Sequence, residues 1–153
     1  MDTNDVKNII VRSVRNLYRN QPNLYDFTSI THQTEWNLGH QLAYELQKDT
    51  FLSRFDCDLD IVKTNFDNRR PDIIFHKRGD NKYNFLVVEL KYNKEKKELD
   101  EDMQKIKDNW FQCPLQYDYG AVVNLGASVM VAPLIQVVKN LAGVNVTQGY
   151  KTI

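Results

Sequence analysis

The sequence predicts an α/β fold in which a mixed sheet is covered by helices on both sides. Strand-length apolar runs, amphipathic stretches at helical spacing, and the order helix, helix, three strands, helix, strand, helix all support this class. The first three strands are close enough in sequence to form an antiparallel meander. The fourth follows a helix of about twenty residues, so it is expected to lie parallel to the third through a right-handed crossover.

The first helix is predicted over residues 3 to 20. Val6, Ile9, Ile10 and Leu17 share one face at helical spacing, and Pro22 ends the pattern. The arginines of the opposite face are Arg12, Arg15 and Arg19. Such a row either contacts phosphates or is the solvated side of the helix.

The second helix is predicted over residues 34 to 49, after a loop. Thr34 is a suitable N-cap, and Glu35 lies in the first turn, where a negative charge suits the helix dipole. Glu35 also shares an arc of the helix with Leu38 and Leu42, so it lies on the stripe that faces the core. An acid at this position is either stabilised by the helix N-terminus or belongs to a site.

The predicted strands are short apolar segments rich in Ile, Val, Phe and Leu. They cover residues 55–64, 71–77, 83–92 and 121–125.

Two further helices are predicted around the fourth strand. The helix over residues 94 to 112 has a core stripe formed by Leu99, Met103, Ile106 and Trp110. The last helix is expected to begin at Pro133, because proline is favoured in a first turn. It would bury Leu134, Val137, Val138 and Leu141.

Length and composition indicate a single globular domain over residues 1–153. The N-terminus lacks the pattern of a signal peptide, and Cys57 and Cys113 show no metal-binding spacing, so a cytoplasmic location is expected. The uncharged stretch from Tyr119 to Val138 is long enough for a transmembrane helix. Its polar residues favour a strand and a buried helix instead, so no membrane partner is expected.

The distribution of charge is uneven although the total cancels. Twenty basic and twenty acidic residues leave no global field to attract nucleic acid. Residues 63 to 91 are nevertheless locally positive, with seven basic side chains against four acids. Four of these basic side chains are candidates for contacts with phosphate groups: Arg69, Arg70, Lys77 and Arg78. A solvated loop explains each of these residues equally well.

Two acids stand in apolar strands, and the predicted hairpin brings them together. A two-residue turn at Asp80 and Asn81 sets a register in which Asp72 faces Glu89. Like charges placed opposite each other destabilise a sheet, whereas Lys91 points to the same face as both acids. Two convergent carboxylates suit a hard divalent cation such as Mg²⁺ better than a single amine.

These residues resemble the PD-(D/E)XK nuclease superfamily, which has the restriction-endonuclease-like fold. The resemblance rests on Glu35 in a helix, on Asp72 after Pro71, and on Glu89-Leu90-Lys91 at the end of an apolar strand. The order helix, three strands, helix, strand over roughly residues 31–126 is also similar to the core of that superfamily. The resemblance implies a three-layer core with a central mixed sheet flanked by helices.

The resemblance implies a metal-dependent endonuclease that hydrolyses phosphodiester bonds, with DNA as the expected substrate. Asp72 and Glu89 would bind Mg²⁺ or Mn²⁺ directly, with the backbone carbonyl of Leu90 as a further ligand. Lys91 would orient or help deprotonate the attacking water, and Glu35 would act at a second metal or through a water. Resolvases and restriction enzymes of this kind often dimerise, so a homodimer or a protein partner is also expected.

The alternative function is a non-cleaving module of the same fold that binds nucleic acid or a protein. Neutral charge and small size favour this alternative, and the intact set of acids and lysine counts against it. The alternating Asp56, Asp58 and Asp60 hint at a second metal site but are more typical of a solvent-facing strand edge. Four aromatic residues are interpreted as core or core edge rather than as base-stacking groups: Trp36, Tyr92, Trp110 and Phe111.

Overall fold

The computed structural model describes residues 1–24, 34–62 and 69–141. Among these residues, the α-helices are α1 (Thr3–Asn20), α2 (Thr34–Gln47) and α3 (Lys96–Lys105), and α3 continues into a π-helical turn at Ile106–Trp110. The strands are β1 (Asp56–Leu59), β2 (Ile73–His76), β3 (Leu86–Tyr92), β4 (Tyr119–Leu125) and β5 (Leu134–Lys139). Short 3-10 helices lie at Leu52–Arg54 and Asn81–Tyr83.

The five strands form one mixed sheet in the order β1-β2-β3-β4-β5. Strands β1, β2 and β3 make an antiparallel meander, and β4 lies parallel to β3. This arrangement confirms the predicted α/β class and the predicted pairing of the first four strands. A parallel neighbour requires a long crossover, which α3 provides between β3 and β4.

The helices lie on both faces of the sheet and bury two apolar clusters. Helices α1 and α2 cover one face, where Leu38 and Leu42 of α2 are fully buried beside Val88 and Leu90 of β3. Helix α3 covers the other face with a second cluster, formed by Ile74, Val87, Leu99, Met103, Ile106, Trp110, Phe111, Leu115, Tyr117 and Val122. The sheet is therefore the middle layer of three.

The predicted bounds of the first helix, residues 3 to 20, are confirmed. Both ends of α1 are set by residues close to them in sequence. Asp5 N–H donates to Asp2 Oδ1 at 2.9 Å, and Asp2 N–H donates back to Asp5 Oδ2 at 2.8 Å, which forms a capping box. The helix ends at Asn20, two residues before Pro22. The predicted loop before the second helix falls partly on residues 25–33. The first predicted strand, over residues 55–64, is longer than β1, which ends at Leu59, and its last two residues fall within residues 63–68. Both segments, like the side chain of Thr34, lie outside the described residues.

The predicted last helix is wrong, because residues 134–139 form strand β5. Ile135 pairs with Val123 and Val137 with Ala121 in an antiparallel ladder. Leu134 and Leu141, which the helix would bury, are 54% and 72% exposed. The periodicity of a short apolar run with several β-branched residues is compatible with a helix or a strand. Residues 134–139 form a strand because they can pair with the edge of β4.

The uncharged stretch from Tyr119 to Val138 contains β4, a loop and most of β5. It therefore forms two strands and not the transmembrane helix considered above. Over residues 1–24, 34–62 and 69–141, no helix has both the length and the apolar character needed to cross a membrane.

The predicted register of the β2–β3 hairpin is confirmed, but the predicted turn is wrong. Ile73 pairs with Val88 and Phe75 with Leu86, as expected. The tight turn lies two residues earlier, between Lys77 and Asp80, where Gly79 adopts a φ of 83° that suits glycine. The residues that follow form the 3-10 helix Asn81–Tyr83, so the strands keep their register through a longer connection.

Two buried glycines are expected to respond in opposite ways to substitution by alanine. A Cβ at Gly120 would lie 2.3 Å from Ile106 Cγ2, so Gly120→Ala should lower the free energy of unfolding by about 1–3 kcal/mol. A Cβ at Gly39, within α2, would meet only Leu90 Cδ2 at 3.7 Å. Gly39→Ala should therefore raise stability by up to about 1 kcal/mol, because alanine favours the helix. Urea denaturation tests both, and equal losses would contradict the packing.

Candidate active site

The candidate site lies at the edge of the sheet where β2 begins and β3 ends. Asp72 immediately precedes β2, and Glu89 and Lys91 lie on β3. Val87 packs beneath α3, so Glu89 and Lys91, two and four residues further along the strand, point to the same side of the sheet. Asp72 and Glu89 each lie one residue beyond the last pair of the described ladder, Ile73 with Val88.

The Asp72 carboxylate is half-buried and anchored to the backbone of β3. Its Oδ2 accepts a hydrogen bond from Leu90 N–H at 2.6 Å. Burial raises the pKa of Asp72, and the Leu90 hydrogen bond and the charge of Lys91 offset part of that rise. Glu35 and Asp60 raise the pKa further. The site therefore concentrates several acids around one carboxylate.

Glu89 is the acid whose proton affinity changes most. Burial raises the pKa of Glu89 to about 8, with further contributions from the negative charges of Asp72 and Asp102. Lys91 and Lys105 offset only part of this. No described residue donates a hydrogen bond to the Glu89 carboxylate. Glu89 consequently keeps its proton over most of the neutral range.

Lys91 is held by an acid, Asp102, that was not among the predicted site residues. Its Nζ lies 3.2 Å from Oδ2 of Asp102, a buried residue of α3 that also contacts Lys105 Nζ at 2.8 Å. Burial alone would lower the pKa of Lys91, but Asp102, Glu35 and Asp72 together outweigh it and the pKa is raised. The ammonium is therefore charged at neutral pH. Asp102 was detectable, because it lies on the same helical stripe as Leu99 and Ile106.

Glu35 reaches the end of β3 from the opposite layer. Its carboxylate is exposed, and its Oε1 accepts a long hydrogen bond from Tyr92 N–H at 3.4 Å. Glu35 and Asp72 both line a cleft of about 230 Å³. The other residues of this cleft are Trp36, Gly39, His40, Leu59, Asp60 and Arg70. The structure thus brings Glu35 to the same edge of the sheet as Asp72.

Of the arginines and lysines proposed to bind nucleic acid, Arg70 is the one that borders this cleft, where it forms an ion pair with Asp60. Arg69 is half-buried and donates to the carbonyl of Asn109 at 3.3 Å. Lys77 and Arg78 follow β2 at its other end, and Lys77, the nearer of the two, is five residues or about 16 Å from Asp72 along the strand.

The basic row of α1 lies away from the cleft. Arg12 forms an ion pair with Asp49, which follows the C-terminus of α2, whereas Glu35 lies at its N-terminus. Fourteen residues of helix separate these points by about 20 Å. Arg15 and Arg19 are exposed on the same helix.

The aspartates of β1 form an ion-pair cluster. Hydrogen bonding to Arg78 lowers the pKa of Asp58, and His76 Nε2 lies 2.7 Å from Asp58 Oδ2. Asp56 accepts from Arg78 N–H at 3.0 Å. Strand β1 is an edge strand of the sheet, as the alternating acids indicated. Protein cations therefore neutralise these carboxylates.

The residues of the candidate site fit a divalent ion in donor type. Within the described ranges, no three His, Cys, Asp or Glu side chains are grouped closely enough to hold a metal ion. The carboxylates of Asp72 and Glu89 and the carbonyl of Leu90 are nevertheless the hard oxygen ligands that Mg²⁺ prefers. Burial, and to a smaller extent the charges of Asp72 and Asp102, raise the pKa of Glu89, and a cation bound beside it would lower that pKa.

The prediction that the four aromatic residues lie in the core or at its edge is wrong for Trp36. Trp110 and Phe111 are buried beneath α3, as expected, and Tyr92 is half-buried. Trp36, in contrast, is 61% exposed and lines the cleft beside Glu35. Its position one residue after Glu35 turns its side chain away from the stripe that faces the core.

Comparisons of this chain with protein-family models, curated proteins and solved structures found no match. Its class is therefore defined by its own fold and site. It is an α/β protein with a mixed five-stranded sheet, and carboxylates and a charged amine meet at one end of its central hairpin.

Proposed function

We propose that this protein is a metal-dependent nuclease of the restriction-endonuclease-like fold that hydrolyses phosphodiester bonds in DNA. One observation carries the proposal: Asp72, Glu89 and Lys91 lie together at the end of the β2–β3 hairpin, with Glu35 at the adjoining end of α2. The antiparallel meander with a parallel fourth strand supports the same conclusion.

Asp72, Glu89 and the carbonyl of Leu90 would hold Mg²⁺ or Mn²⁺. A residue in a strand directs its N–H and C=O to the same neighbour, so the Leu90 carbonyl faces the side on which its N–H meets Asp72. A bound divalent ion supplies an activated water and stabilises charge on the phosphate. Glu89 must release its proton to act as a ligand, and Glu35 accepts hydrogen bonds at the mouth of the cleft.

Lys91 acts in this proposal as a fixed positive charge. Because Asp102 keeps the ammonium protonated, Lys91 donates hydrogen bonds and does not remove a proton from water. A positive charge placed where the phosphate gains negative charge lowers the barrier to in-line attack. Asp102 positions this ammonium from α3, on the side of the sheet opposite to α2.

A non-cleaving binding module of the same fold is the second candidate. The absence of a group of three metal-ligating side chains among the described residues favours it. The two functions differ in a simple measurement, since a catalytic centre binds Mn²⁺ and a module without metal does not. Calorimetric titration of the purified protein with Mn²⁺ therefore separates them.

Asp72→Asn is expected to lower metal-dependent DNA cleavage at least about 100-fold, because it removes the charge of a direct ligand. The same change should abolish the Mn²⁺ heat signal. Plasmid and oligonucleotide cleavage in Mg²⁺ or Mn²⁺, with EDTA as the blank, measures the first effect.

Asp100→Asn is the matched control for this substitution. Asp100 is exposed on α3 and accepts a side-chain hydrogen bond at 3.3 Å from Gln136, which lies two strands across the sheet from Glu89. It should retain both activity and Mn²⁺ binding. Equal residual cleavage by the wild type and Asp72→Asn would assign the activity to a contaminant and reject the nuclease function.

A further inference from the structure

Helix α2 carries an exposed row of aromatic side chains, which we call the α2 aromatic stripe: Trp36, His40 and Tyr44, followed by Lys48. Their spacing of four residues places them on one helix face, about 6 Å apart along the axis. Trp36 is 61% and Tyr44 59% exposed. Large apolar rings in a row on a surface mark a binding face more often than isolated ones do.

Contacts within the stripe order its rings. The rings of Trp36 and His40 have centroids 4.2 Å apart, and His40 Nδ1 lies 3.0 Å from the carbonyl oxygen of Trp36. Lys48 Nζ lies 4.1 Å from the centroid of the Tyr44 ring. Rings held in this way lose little further entropy when a flat ligand stacks on them.

The stripe begins in the candidate active site. Trp36 and His40 line the same cleft as Glu35 and Asp72. From there the stripe runs about 18 Å along α2 to Lys48. A ligand that lies along it would therefore have one end at the carboxylates.

The chemistry of this helix face suits nucleobases. Beyond Glu35, the one acid within α2 is Glu45, which is 4% exposed and contacts Lys48 Nζ at 2.8 Å. Asn37 and Gln41, each one position after a ring of the stripe, offer amide donors and acceptors. Beyond Glu35, rings, amides and one lysine form a surface on which bases can stack beside a backbone of negative charge.

We propose that the α2 aromatic stripe binds a single strand of DNA, whose bases stack on Trp36 and Tyr44, and leads that strand into the cleft at Glu35 and Asp72. The bases of a duplex already stack on their neighbours, so only an unpaired segment offers free faces to these rings. The substrate class is therefore DNA with a single-stranded segment. This inference rests on the proposed nuclease function for the fate of the strand, but not for its binding.

Binding in EDTA tests the stripe without cleavage. Wild-type protein is expected to bind a fluorescein-labelled oligomer of about 12 deoxythymidines more tightly than a duplex of equal length. Trp36→Ala and Tyr44→Ala should each weaken binding of the single strand about ten-fold. Trp36→Phe should keep most of the affinity. It should also lose the quenching of tryptophan fluorescence, because the remaining Trp110 is buried.

Tyr83→Ala is the matched control. Tyr83 is half-buried and precedes β3, at the end of the sheet opposite the cleft, and its removal should leave affinity unchanged. Equal affinity of Trp36→Ala and the wild type, or duplex binding as tight as single-strand binding, would overturn the inference. Tighter binding of an RNA oligomer would overturn the assignment to DNA. No binding of any nucleic acid would reassign the stripe to a protein partner.

The two proposals fail separately. Single-strand binding that depends on Trp36 and Tyr44, without cleavage by the wild type in Mg²⁺ or Mn²⁺, would reject the nuclease and retain the stripe. Cleavage that is lost in Asp72→Asn but unchanged in Trp36→Ala on a single-stranded substrate would reject the stripe and retain the nuclease.

Discussion

Lys91→Met should lower the rate of DNA cleavage about 1000-fold, since it removes the fixed positive charge proposed to stabilise the transition state. Methionine keeps most of the aliphatic stem that packs on the sheet. The substitution also leaves the buried Asp102 with Lys105 as its remaining ion-pair partner, so the protein should lose about 1–3 kcal/mol of stability. Single-turnover cleavage and urea denaturation measure the two effects.

A double variant separates the loss of catalysis from the loss of stability. In Lys91→Met combined with Asp102→Asn, the uncompensated carboxylate is removed, so most of the lost stability should return. Activity should not return with it, because Asp102 only positions the ammonium. Recovery of cleavage in the double variant would show that Lys91 serves the fold and not the reaction.

Glu89→Gln should change stability and function in opposite directions. It removes an acid whose pKa is raised from 4.5 to about 8, chiefly by burial. Metal-free Glu89→Gln at pH 9 should therefore be more stable than the wild type by on the order of 5 kcal/mol. It should also lose Mn²⁺ binding and cleavage, because a neutral amide replaces a charged ligand.

The pH dependence of this effect has a definite sign. Between pH 4.5 and about 8, folded Glu89 holds a proton that the unfolded chain releases. The stability that depends on the protonated acid is thus fully present below pH 4.5 and is lost as the pH rises through about 8. Urea denaturation in EDTA at pH 5, 7 and 9 should show the wild type approaching the variant's stability at low pH and falling below it at high pH.

Glu98→Gln is the control for Glu89→Gln. Glu98 lies on α3, its side chain is 45% exposed, and it forms an ion pair with Lys94 at 3.4 Å. Such a surface pair contributes at most about 1 kcal/mol, so this variant should follow the pH profile of the wild type. Identical pH profiles for the wild type and Glu89→Gln would contradict the burial of Glu89.

The parts of the fold that sequence alone could predict are those with a regular pattern on one face. Helix α1 has an apolar stripe and a local stop, and its bounds were predicted to the residue. The β2–β3 register was also predicted correctly, although the turn from which it was derived was not. Because β3 is buried on both faces, a shift of one residue would move the side chains of each face to the other and would place Glu89 on the face covered by α1 and α2.

The parts that could not be predicted depend on contacts distant in sequence. Residues 134–139 are strand only because β4 offers them an edge, which no local pattern records. Asp102 belongs to the site because α3 crosses beneath β3, and Trp36 is exposed because no described element covers that face of α2. Asp72 and Glu89 were recognised as neighbours since both lie on one hairpin, whose pairing is local.

The connection at residues 77–85 lies at the far end of the hairpin from Asp72 and Glu89. Its length does not set the register, so additional residues there would neither shift the acids against each other nor crowd the cleft. Residues 79–82 of this connection are exposed, so an additional segment inserted there would have the least effect on the geometry of Asp72 and Glu89.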